Sequence, residues 1–396
     1  MPDDSCRAGR LTTSPQIAVF LFEPGDGGLD RVAILLANGF AARGVRTELW
    51  LTRAQGPSRF LVADNVVVRM VPAPHTRKRG LALALQIPAL ARMIARHRPN
   101  VLLSAGNQSN LPISLATRLA RGGHTAAIQK ITNPIARPGV RGRFQFLRDW
   151  RFGLTARLGH KVLTLSDLDA RSYARAYPAA ASKFVMAPLP CVTDEMLAIG
   201  RGRRAPQKGA VPQFLSVARL DVQKDHSTML SALALLAARP WHLTLVGDGP
   251  LKAMLVQQAK VLGIADRLTF AGFVREPESY YADADLLILS SRWEGLGAVV
   301  LEAFACGCAV VATDCAPGLT ALLDAVGLSK PVPVGDPEAL SKAIVAALES
   351  PPNLSRARAI AATYSLEASI DDHLRLFTPW LSEGSKPEPL ATDAGK

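Results

Sequence analysis

Acidic residues are scarce in the first half of this chain. Residues 1–200 hold 12 Asp and Glu against 27 Lys and Arg, a net charge of +15, whereas residues 201–396 hold 21 against 19. Cysteine is scarce too: five in 396 residues, an odd number, which argues against a disulfide framework and for a reducing compartment. Cys306-x-Cys308 has no second pair at zinc-site spacing, so it reads as small packing residues and no metal site is expected. Apolar runs of bilayer-spanning length are missing. The longest candidate, residues 81–94, is interrupted by Gln86, Pro88 and Arg92. The first ten residues lack an apolar stretch, so a secretory signal is not expected and a cytoplasmic location is.

What is present is enough apolar material for two cores. Hydrophobic residues make up 48% of the chain, and its length favours two domains. The basic excess gathers at Arg77-Lys78-Arg79 and between Arg137 and Arg151, where Phe144, Phe146, Trp150 and Phe152 are interleaved. Such a mixture suits an anionic membrane surface, and it equally suits a solvated basic face. No nucleic-acid-binding module is visible, so no nucleic-acid partner is expected.

Residues 1–14 read as disordered. Residues 17–22 read as a buried strand, followed by the loop Pro24-Gly-Asp-Gly27-Gly28 and a helix over 29–43 that ends at Gly44. A second strand follows at 45–51, the opening of a parallel sheet with crossover helices. Further strands are predicted at 66–71, 101–104, 125–128, 161–166 and 183–187, with helices over 81–97 and 111–121 between them. Gly200 to Gly209 is a charged Gly/Pro linker. The alternation then restarts with strands at 213–217, 242–246, 267–271, 285–290 and 310–313. The predicted architecture is therefore α/β, with doubly wound Rossmann-like domains at 15–199 and 210–364 facing a cleft. An N-capped amphipathic helix is predicted over 365–380 and a polar tail over 381–396.

The densest chemistry lies in Ser291-Arg-Trp-Glu294-Gly295-Leu-Gly297-Ala298-Val299-Val-Leu-Glu302. It follows a buried strand, so Glu294 falls in a loop at a strand's C-terminal end and Glu302 on the next helix. Eight fully helical steps would separate the carboxylates by about 12 Å, roughly the reach from ribose to hexose across two phosphates. The turn glycines admit close backbone approach, and the helix N-terminus offers N–H groups to a phosphate. An ordinary strand–loop–helix connection with two solvated glutamates has the same spacing.

This stretch resembles the Glu-x7-Glu signature of the family 4 retaining glycosyltransferases, which have the GT-B fold. The resemblance implies that Glu294 contacts donor-sugar hydroxyls and Glu302 the nucleotide ribose. Phe214-Leu-Ser-Val-Ala218-Arg219-Leu-Asp-Val-Gln-Lys224-Asp225 resembles the family's Val-Gly-Arg-Leu…Lys-Gly motif. Arg219 and Lys224 would then bind the donor diphosphate, although Ala218 and Asp225 stand where glycines are usual. Val246-Gly247-Asp-Gly-Pro250 resembles the turn that shapes the cleft near the nucleotide. Leu268 to Gly272-Phe-Val274 resembles the segment whose backbone holds the base. Gly27 and Gly28 resemble a Gly-Gly loop near the donor phosphate. These matches are in order, and the first four cover residues 214–317.

In the first half the match is looser. The family's mid-strand His is absent, and Asn107, Lys130 and Asn133 are acceptor-side candidates by position alone. The implied reaction is a retaining transfer of a sugar from a UDP- or GDP-linked donor to a glycan or lipid-linked acceptor, as in bacterial surface-polysaccharide or lipopolysaccharide assembly. Protein placed peripherally at the membrane's inner face would suit such an acceptor. Arg219, Lys224 and the backbone around Gly297 and Ala298 would stabilise the leaving diphosphate, with no metal and no bound cofactor. Two Asp-x-Asp strings, 167–169 and 283–285, have the form a metal-dependent transferase would use for Mg²⁺, but Asp285 begins a buried strand. A sugar-nucleotide epimerase of the same fold and a non-catalytic nucleotide-sugar-binding module remain as alternatives.

Overall fold

The computed structural model of the chain describes residues 16–25, 27–74, 76, 78–120, 123–135, 143–203, 209–328 and 330–382. The expected disordered residues 1–14, most of the tail, the middle of the linker, and Arg77, Arg137 and Arg141 lie outside them.

In the first domain the strands are β1 Ile17–Leu21, β2 Thr47–Leu51, β3 Val67–Met70, β4 Val101–Ser104, β5 Ala126–Lys130, β6 Lys161–Thr164 and β7 Phe184–Met186. Its helices are α1 Gly28–Ala42, α2 Arg79–Leu85, α3 Ile87–His97, α4 Asn110–Leu119, α5 Arg143–Leu158, α6 Asp167–Ala176 and α7 Asp194–Gly202. The second domain has β8 Gln213–Val217, β9 His242–Val246, β10 Leu268–Gly272, β11 Leu286–Leu289 and β12 Ala309–Ala312. With them come α8 His226–Ala234, α9 Lys252–Val261, α10 Glu278–Asp283, α11 Ala298–Ala305, α12 Pro317–Val326, α13 Pro337–Glu349 and α14 Ser355–Ala362. The chain closes with α15, Leu366–Leu381.

The strands form two sheets, ordered β3-β2-β1-β4-β5-β6-β7 and β10-β9-β8-β11-β12, with every pairing parallel. Strands β1 and β11 are unbroken apolar runs because both faces are covered, and all residues of β1, β4 and β11 are buried. In each sheet the order reverses at the first strand, β1 or β8, which is where ligands bind in open α/β sheets.

One predicted helix, 81–97, is two. Pro88 has no N–H to give Ala84, and the chain breaks at Gln86, whose side chain is buried and accepts from Thr52 Oγ1 at 3.0 Å. The expected linker also begins later than residue 200. Helix α7 runs through Gly202, because Gly200 packs directly on α11: a Cβ there would sit 1.9 Å from the Ala305 carbonyl oxygen.

Helix α15 returns to the first domain. Ser365 caps it through the Ala368 N–H at 3.2 Å. Its Ile370 fills the space that a side chain at Gly39 of α1 would need, and Phe377 meets Phe40 with ring centroids 5.9 Å apart. One buried cluster therefore runs without a break from Val19 and Phe40 through Phe377 to Leu301 and Phe304 of the second domain. Cys306 and Cys308 are unbridged and buried in that cluster at the turn from α11 to β12, and burial pushes both thiols up to about 12.

Candidate active site

Two loops at the C-terminal ends of β8 and β11 bring the expected residues together. Lys224 Nζ lies 2.5 Å from Glu294 Oε1, and Ser291 Oγ donates to the same oxygen at 2.6 Å. Glu294 Oε2 has no partner among the described residues. The two loops are stitched by backbone as well. Arg292 N donates to the Gln223 carbonyl at 2.8 Å, Gln223 Nε2 to the Trp293 carbonyl at 2.9 Å, and Ser290 Oγ to the Lys224 carbonyl at 2.9 Å. The position of Lys224 relative to Glu294 is thus fixed by main-chain contacts on both sides.

Asp225 stands where a glycine was expected, and the backbone explains the preference: its φ is +47°, in the left-handed region. The carboxylate does not simply subtract from the local field. It takes Arg292 Nε at 3.0 Å and Nη2 at 3.4 Å, and is nearly buried under that guanidinium. Arg219 is the most exposed cation of the set and rests its Nε and Nη2 on Asp221 Oδ2 at 2.9 and 2.7 Å. Asp221 Oδ1 in turn accepts from the Gln223 and Lys224 amides. Each of the three cations therefore has a carboxylate partner, and an entering diphosphate would compete for Arg219 and Lys224 with Asp221 and Glu294.

Gly247 serves this arrangement from beneath. Its φ is +136°, and a Cβ there would come 2.0 Å from the Ala218 carbonyl oxygen. Its turn donates and accepts along the Arg219 loop, with Leu220 N bonded to the Asp248 carbonyl at 3.0 Å. Gly247 accordingly holds the segment that carries Arg219. Gly272 accepts the Gly247 amide at 2.7 Å, and Val274 follows it, half-buried against the large cluster. Gly297 is the N-cap of α11 in a left-handed conformation, and Ala298 and Val299 open the helix.

Glu302 lies on α11, apart from the Lys224 group. Tyr281 Oη, from α10, donates to its Oε2 at 2.6 Å. Burial raises the Glu302 carboxyl, and the Tyr281 bond and the Arg31 charge pull it back. Arg31 was not singled out from the sequence. It sits in the first turn of α1, just after Gly27 and Gly28, and reaches across the cleft to the Arg275 carbonyl at 3.1 Å. Arg275 answers from the other side, its guanidinium 4.4 Å from the Phe60 ring centroid.

The first-domain candidates behave differently from one another. Asn107 is a clamp: its Oδ1 accepts the Thr132 amide and its Nδ2 donates to the Asn133 carbonyl, both at 2.9 Å. The loop it holds is at the cleft, since a Cβ on Gly295 would lie 2.5 Å from the Thr132 carbonyl oxygen. Asn133 is in that loop. Lys130, expected beside it, is instead sealed in the interior at 1% exposure. Its Nζ is 3.4 Å from His373 Nε2 on α15, whose Nδ1 bonds the Ser369 carbonyl at 2.7 Å. Burial lowers Lys130 to about 8 and His373 to about 3, so the pair is an ammonium donating to a neutral ring at pH 7. The Asp-x-Asp strings are also engaged: Asp169 pairs with the cap Ser166 at 2.8 Å, and Asp285 Oδ2 accepts the Gln213 amide at 2.8 Å.

Comparison with known proteins agrees with this layout. The family described as Glycosyl transferase 4-like domain matches residues 27–190, and Glycosyl transferases group 1 matches residues 203–365. LpsE of Rhizobium meliloti, a lipopolysaccharide core biosynthesis glycosyltransferase, is 26% identical over 73% of this chain and 76% of its own length. The N-acetylgalactosamine-N,N'-diacetylbacillosaminyl-diphospho-undecaprenol 4-alpha-N-acetylgalactosaminyltransferase of Campylobacter jejuni is 37% identical over 26% of this chain, an alignment that spans 27% of its own length. Anabaena HepE, solved in complex with UDP and glucose, shares the fold with a TM-score of 0.71 at 19% identity, covering 92% of this chain and 99% of that one. With one family matched in each domain and both domains in the GT-B arrangement, the chain belongs to the glycosyltransferases that pair a 4-like domain with a group 1 domain.

Proposed function

We propose that this chain is a retaining glycosyltransferase that moves a sugar from a UDP- or GDP-linked donor to a glycan or lipid-linked acceptor in bacterial surface-polysaccharide or lipopolysaccharide assembly. The observation that carries the reading is the Lys224–Glu294–Ser291 group at the β8 and β11 ends, with Arg219 beside it. A donor diphosphate takes Lys224 and Arg219 as its cations. Glu294, relieved of Lys224, turns its oxygens to the donor-sugar hydroxyls. Glu302 Oε1 serves the ribose, with Oε2 held by Tyr281. As the C1–O bond to phosphate breaks, charge grows on the leaving diphosphate, and Lys224, Arg219 and the N–H groups opening α11 stabilise it. The leaving phosphate oxygen takes the acceptor proton, so no protein base is needed, and the paired cations make a metal unnecessary.

A lipid-linked acceptor fits the surface of the first domain. Between Asp64 and Asp149 the sequence has no acidic residue, and α5 exposes Phe146 at 68% and Trp150 at 61% beside its arginines. Peripheral binding to the inner, anionic face of the membrane follows. Among the described residues no helix is long and apolar enough to cross a bilayer. The acceptor that the Campylobacter relative is named for carries diphospho-undecaprenol, and HepE was solved with UDP and glucose, which supports both ends of the reading.

The test is incubation with radiolabelled UDP- and GDP-sugars, with and without a bacterial lipid extract. Label transferred to lipid or glycan supports the proposal. Free epimerised nucleotide sugar would point to the epimerase, and binding without turnover to the non-catalytic module; either result refutes transfer.

A further inference from the structure

A groove of about 570 Å³ lies on the edge of the first domain, between β3 and α3, and shares no residue with the cleft. Strand β3 is the edge of its sheet, two strands from β1. The groove is lined by Arg69, Arg92, Arg96 and His97 together with apolar residues including Met70 and Met93, both kinds coming from β3 and from α3.

The charges in it do not cancel. Glu48 of β2, which is bonded to the lining residue Arg69, is buried, with Oε2 accepting from Trp50 Nε1 at 2.7 Å and Oε1 from Arg69 Nε at 2.6 Å. Arg69 therefore neutralises Glu48. His97 is 3.8 Å from the same oxygen, and burial together with Arg69 and Arg96 outweighs Glu48 and holds it below its ordinary value, so the ring adds no charge. Arg92 and Arg96 remain. They stand one helical turn apart on α3, on the same face, and neither has a carboxylate partner among the described residues. The acids that flank them in sequence are Asp64 and Asp149. Arg92 rests its Nε on the Pro88 carbonyl at 3.3 Å, which leaves its terminal nitrogens and the Arg96 guanidinium without a carboxylate, and two such forks at i and i+4 match the oxygens of a phosphate ester. The space is far larger than a bare phosphate fills, and the rest of its lining is apolar.

We propose that this groove is a binding site for an anionic phospholipid, with Arg92 and Arg96 on the headgroup phosphate and the start of an acyl chain along Met70 and Met93. The site is separate from the donor cleft and does not depend on the reaction proposed for it. Leu81 and Leu85 of α2, the helix that precedes α3, are exposed apolar residues.

The experiment is calorimetric titration of the full chain with dihexanoyl phosphatidic acid below its micelle concentration, alongside dihexanoyl phosphatidylcholine, geranyl monophosphate and inorganic phosphate. Saturable binding of the phosphatidic acid is expected, with inorganic phosphate and phosphatidylcholine much weaker. Arg92→Ala/Arg96→Ala should raise its Kd about tenfold or more, since each charge-assisted contact is among the stronger polar interactions. Arg92→Lys/Arg96→Lys should restore part of the affinity, which separates a charge effect from misfolding. Absence of saturable binding, or a Kd unmoved by the alanine pair, overturns the site. Inorganic phosphate binding as tightly as the lipid overturns the apolar half of the assignment, and tighter geranyl phosphate transfers the site to an isoprenoid carrier.

Discussion

Lys224 and Glu294, 70 residues apart, meet at 2.5 Å with Glu294 only 7% exposed. An ion pair so placed at the ends of two parallel strands is poised for exchange. The carboxylate has one free oxygen, and the ammonium is accessible enough to leave it for a stronger anion.

The cations should dominate nucleotide affinity. Arg219→Ala and Lys224→Ala are each expected to weaken UDP or GDP binding by about 1.5–3 kcal/mol, the range for hydrogen bonds to charged groups. Calorimetry reads this directly, and unchanged affinity for both nucleotides contradicts the assigned roles. Chelation by EDTA should leave transfer intact, and activity lost to EDTA and restored by Mg²⁺ or Mn²⁺ would show that a metal shares the work.

Gly295 should tolerate no side chain. The Thr132 carbonyl stands 2.5 Å from where a Cβ would be, and as a backbone group it cannot rotate aside, so the loops must separate. Overpacking of this kind costs about 1–3 kcal/mol. Gly295→Ala should cut kcat/KM while nucleotide still binds the second domain, and full activity in this variant would show that the two loops part freely.

The buried Lys130 gives a signed pH effect. Its folded value, about 8, lies below the unfolded 10.5, so the unfolded chain binds more protons between them. Below about pH 8 the charged amine is buried at full cost, on the order of 3 kcal/mol, and that cost fades as pH rises toward 10.5. Lys130→Met should therefore be stabilised relative to wild type at pH 7.5, with the advantage shrinking by pH 10. Denaturant unfolding at the two pH values checks it, and a difference that stays constant refutes the linkage.

The first domain should bind anionic vesicles. Phe146→Ser/Trp150→Ser is expected to reduce co-sedimentation with phosphatidylglycerol vesicles, and high salt to reduce it for the wild type, because Debye screening shortens to about 3 Å at 1 M. Protein that stays in the supernatant at low salt rules out the membrane placement and favours a soluble acceptor.

Much of this layout is readable from the chain alone. Strands such as 101–104 and 213–217 are apolar runs between turn residues, and buried parallel strands carry that signal strongly. Arg219, Lys224, Glu294 and Glu302 stand out through the motifs around them and the family these resemble, since spacing alone also fits an ordinary strand–loop–helix connection. What was not legible is tertiary. Asp225 reads as a missing glycine until Arg292 is seen to cover it, and Lys130 reads as a cleft residue until α15 lays His373 over it. Arg31 is one basic residue among many until it crosses to Arg275. In each case the partner is too distant in sequence for any periodicity to indicate.

Glu294 carries the account, and the most direct measurement is kcat/KM for transfer of labelled sugar by Glu294→Gln, with Glu302→Gln beside it and circular dichroism to confirm the fold. Loss of about 1.5–3 kcal/mol of transition-state stabilisation, roughly 10- to 150-fold in rate, is expected for each, because a charged acceptor is replaced by a neutral one. Near-wild-type kcat/KM in both folded variants would contradict the claim that these carboxylates hold the donor.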